Sequence, residues 1–416
     1  MRVLFLCHAH PELQAGGTEI FAHALFRGLR SRGVEGLFVA GTYAAQRPPS
    51  PGAAFQAVGS QADEMLLWTA SFDPFFQSQI DLYGTAPELA ALLRDLRPDV
   101  VHIHHLLTLG VELVGLIRRV VPDARIVMTL HDYYALCARD GQMVTSDGRL
   151  CHLPSQDACR KCFPERGLTD FRLRKLHLDG AFRQIDRFIA PSQFLRARFV
   201  AAGHNPDRIV VVPNGIVPQE AVPARLSDTG RRDRFGFFGH INPFKGAIVA
   251  LAASSRLSGT GVAHALTLHG GNAHQTPAFL TTFSAACEAA PDARYGGAYA
   301  HADLARLMAH IDWVVVPSVW WENAPLVIQE AFLHRRPVIC ADIGGMAEMV
   351  RDGIDGLHAA AGDPASFARV LERAATSAEL WSTLAGNIVA PVTIQASVSS
   401  HLALYAELTN QVRNAA

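Results

Sequence analysis

Short runs of Val, Ile, Leu and Phe alternate along the chain with stretches whose apolar residues recur at helical spacing. Strands buried on both faces read as near-continuous apolar runs, so this alternation predicts parallel α/β architecture. In the first half, strands are expected at residues 2–7, 100–104, 125–130, 187–190 and 209–212, with helices at 18–32, 87–96 and 193–202. A second series is expected at 235–239, 265–269, 293–296, 313–316 and 337–340. Between the two series, residues 217–234 are rich in Pro, Asp and Arg and lack apolar periodicity, which marks an interdomain linker. The expected organisation is a Rossmann-like domain over 1–216, a linker over 217–233 and a second Rossmann-like domain over 234–393. A terminal helix, 394–416, is expected to pack back on the first domain. The architecture is two doubly wound domains facing each other across a cleft, with the ligand at the carboxyl ends of the strands.

Composition narrows the function. The chain has 416 residues, 49% of them apolar and 18% charged, which describes a well-packed globular enzyme. A formal net charge of −1 argues against a general nucleic-acid binder, which needs clustered positive surface. No uninterrupted apolar stretch of about 18 residues predicts a membrane span. The apolar start Val3 to Leu6 is soon followed by His8, His10 and Pro11, so it reads as a first strand and not a signal peptide. A cytoplasmic location is expected.

Chemistry concentrates at strand-to-helix turns. After the apolar run Trp313 to Val316, Glu322 falls on a short loop and Glu330 more than a turn into the following helix. Ionised carboxylates accept hydrogen bonds from neighbouring hydroxyls, and a helix start offers N–H groups to an anion. Hydroxyl acceptors beside a phosphate-suited helix start point to a nucleotide-sugar. Gly16 and Gly17 open a helix after the first strand, where a close backbone approach to phosphate or sugar is feasible. In the second half, Lys245 and Gly246 follow a strand and precede a helix, so Lys245 can neutralise a diphosphate. Gly344, Gly345 and Glu348 form another such turn, for which ordinary turn chemistry explains as much as a direct role. Neither a dinucleotide fingerprint nor a Walker loop is present.

Taken in order, Gly16-Gly17-x-Glu19, Leu130-His131-Asp132, Pro191-Ser192, Pro213-Asn214-Gly215, Lys245-Gly246, the stretch from Asp312 to Ser318, the Glu322/Glu330 pair and Gly344-Gly345-x-x-Glu348 make the chain resemble retaining glycosyltransferases of family 4, which have the GT-B fold. The resemblance implies transfer of a hexose-type sugar from a UDP- or GDP-sugar to a glycan or lipid-linked acceptor. It implies that Glu330 binds the ribose, Glu322 the transferred sugar, and that Lys245 with Gly16 and Gly17 holds the diphosphate. His131 then approaches the donor sugar, and backbone N–H groups at Asn323, Ala324 and Leu326 complete the pocket. Contacts to the base are expected from Ala298 and Tyr299. Two positions depart from the family pattern: His240 stands where Arg is frequent, and Pro325 where Gly is frequent, removing one N–H. Glu322, His131 and Lys245 are the residues expected at the reaction centre. Asp132 is the one nearby carboxylate, either a nucleophile or a group that caps a turn or orients a histidine. Front-side displacement, with the departing phosphate accepting the acceptor's proton, is the expected mechanism, without a catalytic divalent metal. The rival functions are a GT-B nucleotide-sugar epimerase and a non-catalytic sugar-nucleotide-binding protein.

Three clusters stand outside this pattern. Cys137, Cys151, Cys159 and Cys162 share one irregular stretch and are either a structural zinc site or reduced free thiols. Cys7, Cys287 and Cys340 read as core residues. His8, His10, His102, His104 and His105 sit at strand ends, expected to line a polar cleft. Basic residues Arg160, Lys161, Arg166, Arg172, Arg174, Lys175, Arg183 and Arg187 crowd one region, either a solvated face or a peripheral contact with the inner membrane surface.

Overall fold

The computed structural model describes residues 1–79, 82–227 and 229–413. Two compact units emerge, one comprising Met1–Val217 with the segment from Thr393 onward, the other Pro218–Val392.

The first unit carries one eight-stranded sheet in the order Ile209–Val211, Arg187–Ala190, Arg125–Thr129, Val100–Ile103, Arg2–Cys7, Glu35–Thr42, Glu64–Trp68, Phe55–Ala57. Neighbours are parallel throughout except for the last pair. From Arg2–Cys7 the chain builds the sheet first on one side, then returns to the other side for Val100–Ile103. Strand order therefore reverses between these two, and a crevice at such a reversal is where doubly wound sheets bind ligands.

The second unit repeats the arrangement with six parallel strands, Ala293–Tyr295, Ala265–His269, Arg234–Phe238, Trp313–Val316, Val338–Ala341 and Gly356–Ala359. Its order reverses between Arg234–Phe238 and Trp313–Val316, paired in register at Phe235↔Trp313 and Gly236↔Val314. Trp313–Val316 is buried along its whole length because helices cover both faces of the sheet, and its three consecutive valines suit that setting. Helix Ala247–Ser258 packs against helix Pro364–Thr376, and its small residues Ala247, Ala250 and Ala253 are buried.

The segment expected as a linker belongs to the second unit from Pro218 on, apart from Asp228, which lies outside the described residues. Polar pairs hold it there in place of apolar periodicity. Arg225 and Arg232 reach the fully buried carboxylate of Asp312 at 2.7 and 3.1 Å, and Arg336 donates to the Pro223 carbonyl at 2.6 Å.

Helix Ile394–Arg413 lies on the first unit, packed on helix Gly17–Ser31. Tyr405 Oη meets His102 Nδ1 at 2.5 Å, and Arg125 Nε donates to the Leu408 carbonyl at 3.0 Å. The last three residues of the expected 394–416 helix lie outside the described residues. No described helix is long and apolar enough to cross a membrane.

Candidate functional site

In the second unit, the two loops at the strand-order reversal carry the predicted residues. The first leaves Arg234–Phe238 through Gly239, His240 and Asn242 to Lys245. Asn242 Oδ1 accepts from the backbone N–H groups of Phe244 and Lys245 at 2.9 and 3.0 Å, fixing a tight turn. Gly246 follows at φ 74°, where a Cβ would come within 1.9 Å of the Pro317 carbonyl oxygen. That close approach brings the two loops together, and Val319 N–H donates to the Phe244 carbonyl at 2.9 Å.

Glu322 is the focus of the second loop. Its Oε1 accepts from Lys245 Nζ at 2.6 Å, Ser318 Oγ at 2.8 Å and Trp320 Nε1 at 2.8 Å. The Glu322 side chain is 6% exposed, so the ammonium and two further donors offset the cost of burying its charge. Among the described residues all these contacts fall on Oε1, leaving Oε2 as an acceptor for another group. The Gly344-Gly345 turn has a structural role: Gly345 N–H donates to the Glu322 carbonyl at 2.7 Å, and a Cβ at Gly345 would lie 1.6 Å from the Asn323 oxygen.

Helix Leu326–Leu333 follows Pro325, whose carbonyl accepts from Ile328 N–H at 3.1 Å, and the N–H groups of Leu326 and Val327 at the helix start lack intrahelical acceptors. Glu330 lies in its second turn with a side chain 15% exposed, and His301 Nδ1 is 3.6 Å from Oε1. Burial raises its carboxyl to about 7. Tyr299 is close enough for burial and the Glu330 charge to push its phenol up. Ala298 and His240 are exposed, while Asn323 is buried and Ala324 and Leu326 are half-buried.

The corresponding reversal in the first unit is built from histidines. Gly16 precedes helix Gly17–Ser31, whose Glu19 is buried and pairs with His8 Nε2 at 2.9 Å. Burial opposes a charge on His8, but Cys7 and Glu19 outweigh it and hold it at about 9. His131 contacts His104 Nδ1 through Nε2 at 3.1 Å. Burial pushes His131 down to about 3, so its imidazole is neutral. His105 Nδ1 accepts from Leu107 N–H at 2.9 Å, which leaves Nε2–H to donate to Asp132 Oδ2 at 2.7 Å. Asp132 Oδ1 accepts from Tyr134 N–H at 2.8 Å, so this carboxylate orients His105 and caps a turn.

Several expectations change. His102 and His104 share a face as strand alternation requires, with rings 4.1 Å apart, but both are fully buried and do not line an open surface. The cause is the helix Ile394–Arg413, whose Tyr405 covers His102. Arg174 is not part of a solvated basic face: it is 6% exposed and donates to the carbonyls of Phe75, Tyr134 and Ala135. Cys287 is half-buried, whereas Cys7 and Cys340 are core residues. A trio the sequence does not reveal, His10, His23 and Glu64, brings metal-type ligand atoms within 4.8 Å of one another. It is a hydrogen-bond cluster: His10 Nδ1 accepts from Glu12 N–H at 3.3 Å, so Nε2–H donates to Glu64, and Arg27 already pairs with that carboxylate at 3.2 Å. Ser318, Trp320, Asn242 and His301 were also not foreseen. Only Asn242-Pro243, a turn-forming pair, carried a local signal for its role.

This two-unit α/β arrangement is shared with solved glycosyltransferase structures of the GT-B fold. Anabaena HepE, in complex with UDP and glucose, matches with a TM-score of 0.67 at 17% identity over 98% of this chain and 99% of that one. A sucrose-phosphate synthase from Thermosynechococcus elongatus matches with a TM-score of 0.72 at 16% identity over 99% of this chain and 100% of that one. Residues 15–220 match the family model described as Glycosyltransferase Family 4, and residues 232–377 that described as Glycosyl transferases group 1. The chain belongs to the family 4, group 1 glycosyltransferases. Among curated proteins, a D-inositol 3-phosphate glycosyltransferase of Stackebrandtia nassauensis is 30% identical over 195 residues, 44% of each chain. One from Actinosynnema mirum is 28% identical over 233 residues, 52% of this chain and 56% of that protein. The matches thus span about half the length of these relatives.

Proposed function

We propose that the protein is a retaining glycosyltransferase that moves a hexose-type sugar from a UDP- or GDP-sugar to a glycan or lipid-linked acceptor. The observation that carries the reading is the convergence of Lys245, Ser318 and Trp320 on one oxygen of the buried Glu322 carboxylate, with Glu330 in the adjoining helix. Glu322 Oε2 is then free for a sugar hydroxyl, and Glu330 for ribose hydroxyls. The Lys245 ammonium and the first-turn N–H groups of Leu326–Leu333 stabilise the charge that develops on the departing phosphate. His131 and the Gly16-Gly17 turn act on the donor sugar and diphosphate. The sugar leaves and is attacked on one face, the acceptor hydroxyl passing its proton to the departing phosphate oxygen. Anabaena HepE, which shares this fold, holds UDP with glucose or UDP-glucose, and this supports a uridine donor.

The direct test is release of nucleoside diphosphate from UDP-, GDP- and ADP-sugars by wild type, Glu330→Ala and Lys245→Ala, with and without EDTA. EDTA-insensitive release from one donor, lost in both variants, is expected. Release from none, with thermal stabilisation by a donor, would leave a non-catalytic binding protein; release from none and no stabilisation would overturn the proposal. Turnover of donor to an isomeric sugar without acceptor would instead establish an epimerase.

A peripheral membrane contact through the exposed Arg172 and Lys175 is a secondary part of this proposal. Charge reversal at these two residues is expected to lower sedimentation with anionic liposomes; unchanged sedimentation ends the idea.

A further inference from the structure

The four cysteines that stand outside the sugar chemistry come together in space. Cys137, Cys151, Cys159 and Cys162, separated by up to a long irregular loop in sequence, all line one cavity of about 50 Å³. Leu136, Met143 and Phe171 supply apolar walls. None of the four is in a disulfide. The loop that supplies them has little regular structure beyond the isolated bridge Val144↔Leu150 and the seven-residue helix Gln156–Cys162. Loops of this length with so little regular structure are uncommon inside a compact unit.

A second, independent observation gives the sign of the missing partner. Arg174 lines the same cavity and is 6% exposed. Its guanidinium donates to three backbone carbonyls, and among the described residues it has no carboxylate ion-pair partner. A buried cation is costly unless an anionic group lies near it. Four neutral thiols do not provide that charge. A divalent ion held by four thiolates carries a net charge of −2 and does.

We propose that Cys137, Cys151, Cys159 and Cys162 bind one structural Zn²⁺ as four thiolates, and that this site holds the loop carrying His131 and Asp132. Binding converts four thiols and Zn²⁺ into the tetrathiolate complex with release of four protons to solvent, and nothing is oxidised or reduced. Four thiolates are a ligand set of structural zinc sites. Zinc–sulfur bonds of about 2.3 Å would draw the sulfurs to within about 4 Å of one another. They stand farther apart around the cavity than the His10, His23 and Glu64 atoms do, so metal binding contracts the cavity. The link to the glycosyltransferase site runs through Arg174. The same guanidinium that faces the cysteines holds the carbonyls of Tyr134 and Ala135, two and three residues beyond Asp132.

The test uses the full chain. Protein isolated without chelators is expected to contain about one zinc per chain by elemental mass spectrometry. Reconstitution with Co²⁺ should give the intense absorption of tetrahedral thiolate cobalt. The double substitution Cys159→Ser/Cys162→Ser is expected to reduce bound zinc to background, while Cys287→Ser retains it. Where the double variant fails to fold, titration of wild type with an organomercurial should release zinc as the thiols are blocked. Chelation should also lower Tm and open the chain to proteolysis between residues 131 and 163. Absence of bound metal after zinc incubation would overturn the proposal. So would zinc retained in the double variant, iron with acid-labile sulfide, or a Cys159–Cys162 disulfide in the freshly isolated protein.

Discussion

The two units share a topology and differ in what they place at its critical point. Each reverses its strand order between a central strand and the neighbour reached by the return crossover, and in each the loops beyond those strands hold polar side chains. In the first unit these are largely buried imidazoles, with His131 held neutral beside His104, the pair His8–Glu19 and the hydrogen-bonded pair His105–Asp132. In the second they are a lysine–carboxylate pair and the partly buried carboxylate of Glu330, with His301 3.6 Å away. The same backbone plan therefore supplies the location of a site, while side-chain charge determines what binds there. Under the proposed function the diphosphate is held mainly in the second unit, by Lys245 and the helix start at Leu326, with the Gly16-Gly17 turn of the first unit in a supporting role.

Lys245→Ala is the sharpest way to break this comparison. It leaves the Glu322 carboxylate buried without its cation and removes a group aimed at the developing phosphate charge. A fall in kcat of about 10²–10³ is expected in donor cleavage assays. His131→Ala should cost less, about tenfold, with donor KM little changed. If the His131 variant loses more than the Lys245 variant, the assignment of the phosphate to the second unit is wrong.

The pH dependence separates the units next. Glu330 is raised from 4.5 to about 7, so its stabilising protonated state is fully present below pH 4.5 and lost as pH rises through about 7. Glu330→Gln should therefore raise stability above pH 7, on the order of 3 kcal/mol in denaturant melts. The same variant should raise donor KM most at pH 8, where wild-type Glu330 is ionised and accepts ribose hydroxyls. His8, raised from 6.5 to about 9, contributes stability that is fully present below pH 6.5 and lost as pH rises through about 9. Glu19→Gln should remove that higher window while leaving the Glu330 window in place.

Two structural substitutions complete the series. Gly345→Ala puts a Cβ against the Asn323 carbonyl and should shift the Glu322 loop, lowering Tm by several degrees with loss of donor-induced stabilisation. Tyr405→Phe removes the hydrogen bond to His102 that ties the terminal helix to the first sheet. It should cost about 1 kcal/mol by thermal melting, with donor cleavage preserved.

The strands that form each sheet's centre were legible because burial on both faces demands unbroken apolar runs, as at Trp313–Val316 and Arg2–Cys7. Glu35–Thr42, Glu64–Trp68 and Gly356–Ala359 were not named, since glycines, flanking carboxylates or short length dilute their pattern. Edge strand Phe55–Ala57 has three residues and no period to detect.

By itself the sequence determined two α/β series, the turns that hold Lys245, Glu322 and Glu330, and the family to which the chain belongs. Local spacing suffices there because a strand, a polar turn and a helix start are neighbours in the chain. Only the tertiary structure decided that Lys245, 77 residues from Glu322, donates to it, and that Tyr405 covers His102. It also gathered four cysteines beside a buried arginine. Such contacts depend on which strands lie side by side and which glycines let loops touch, and no periodicity along the chain encodes them.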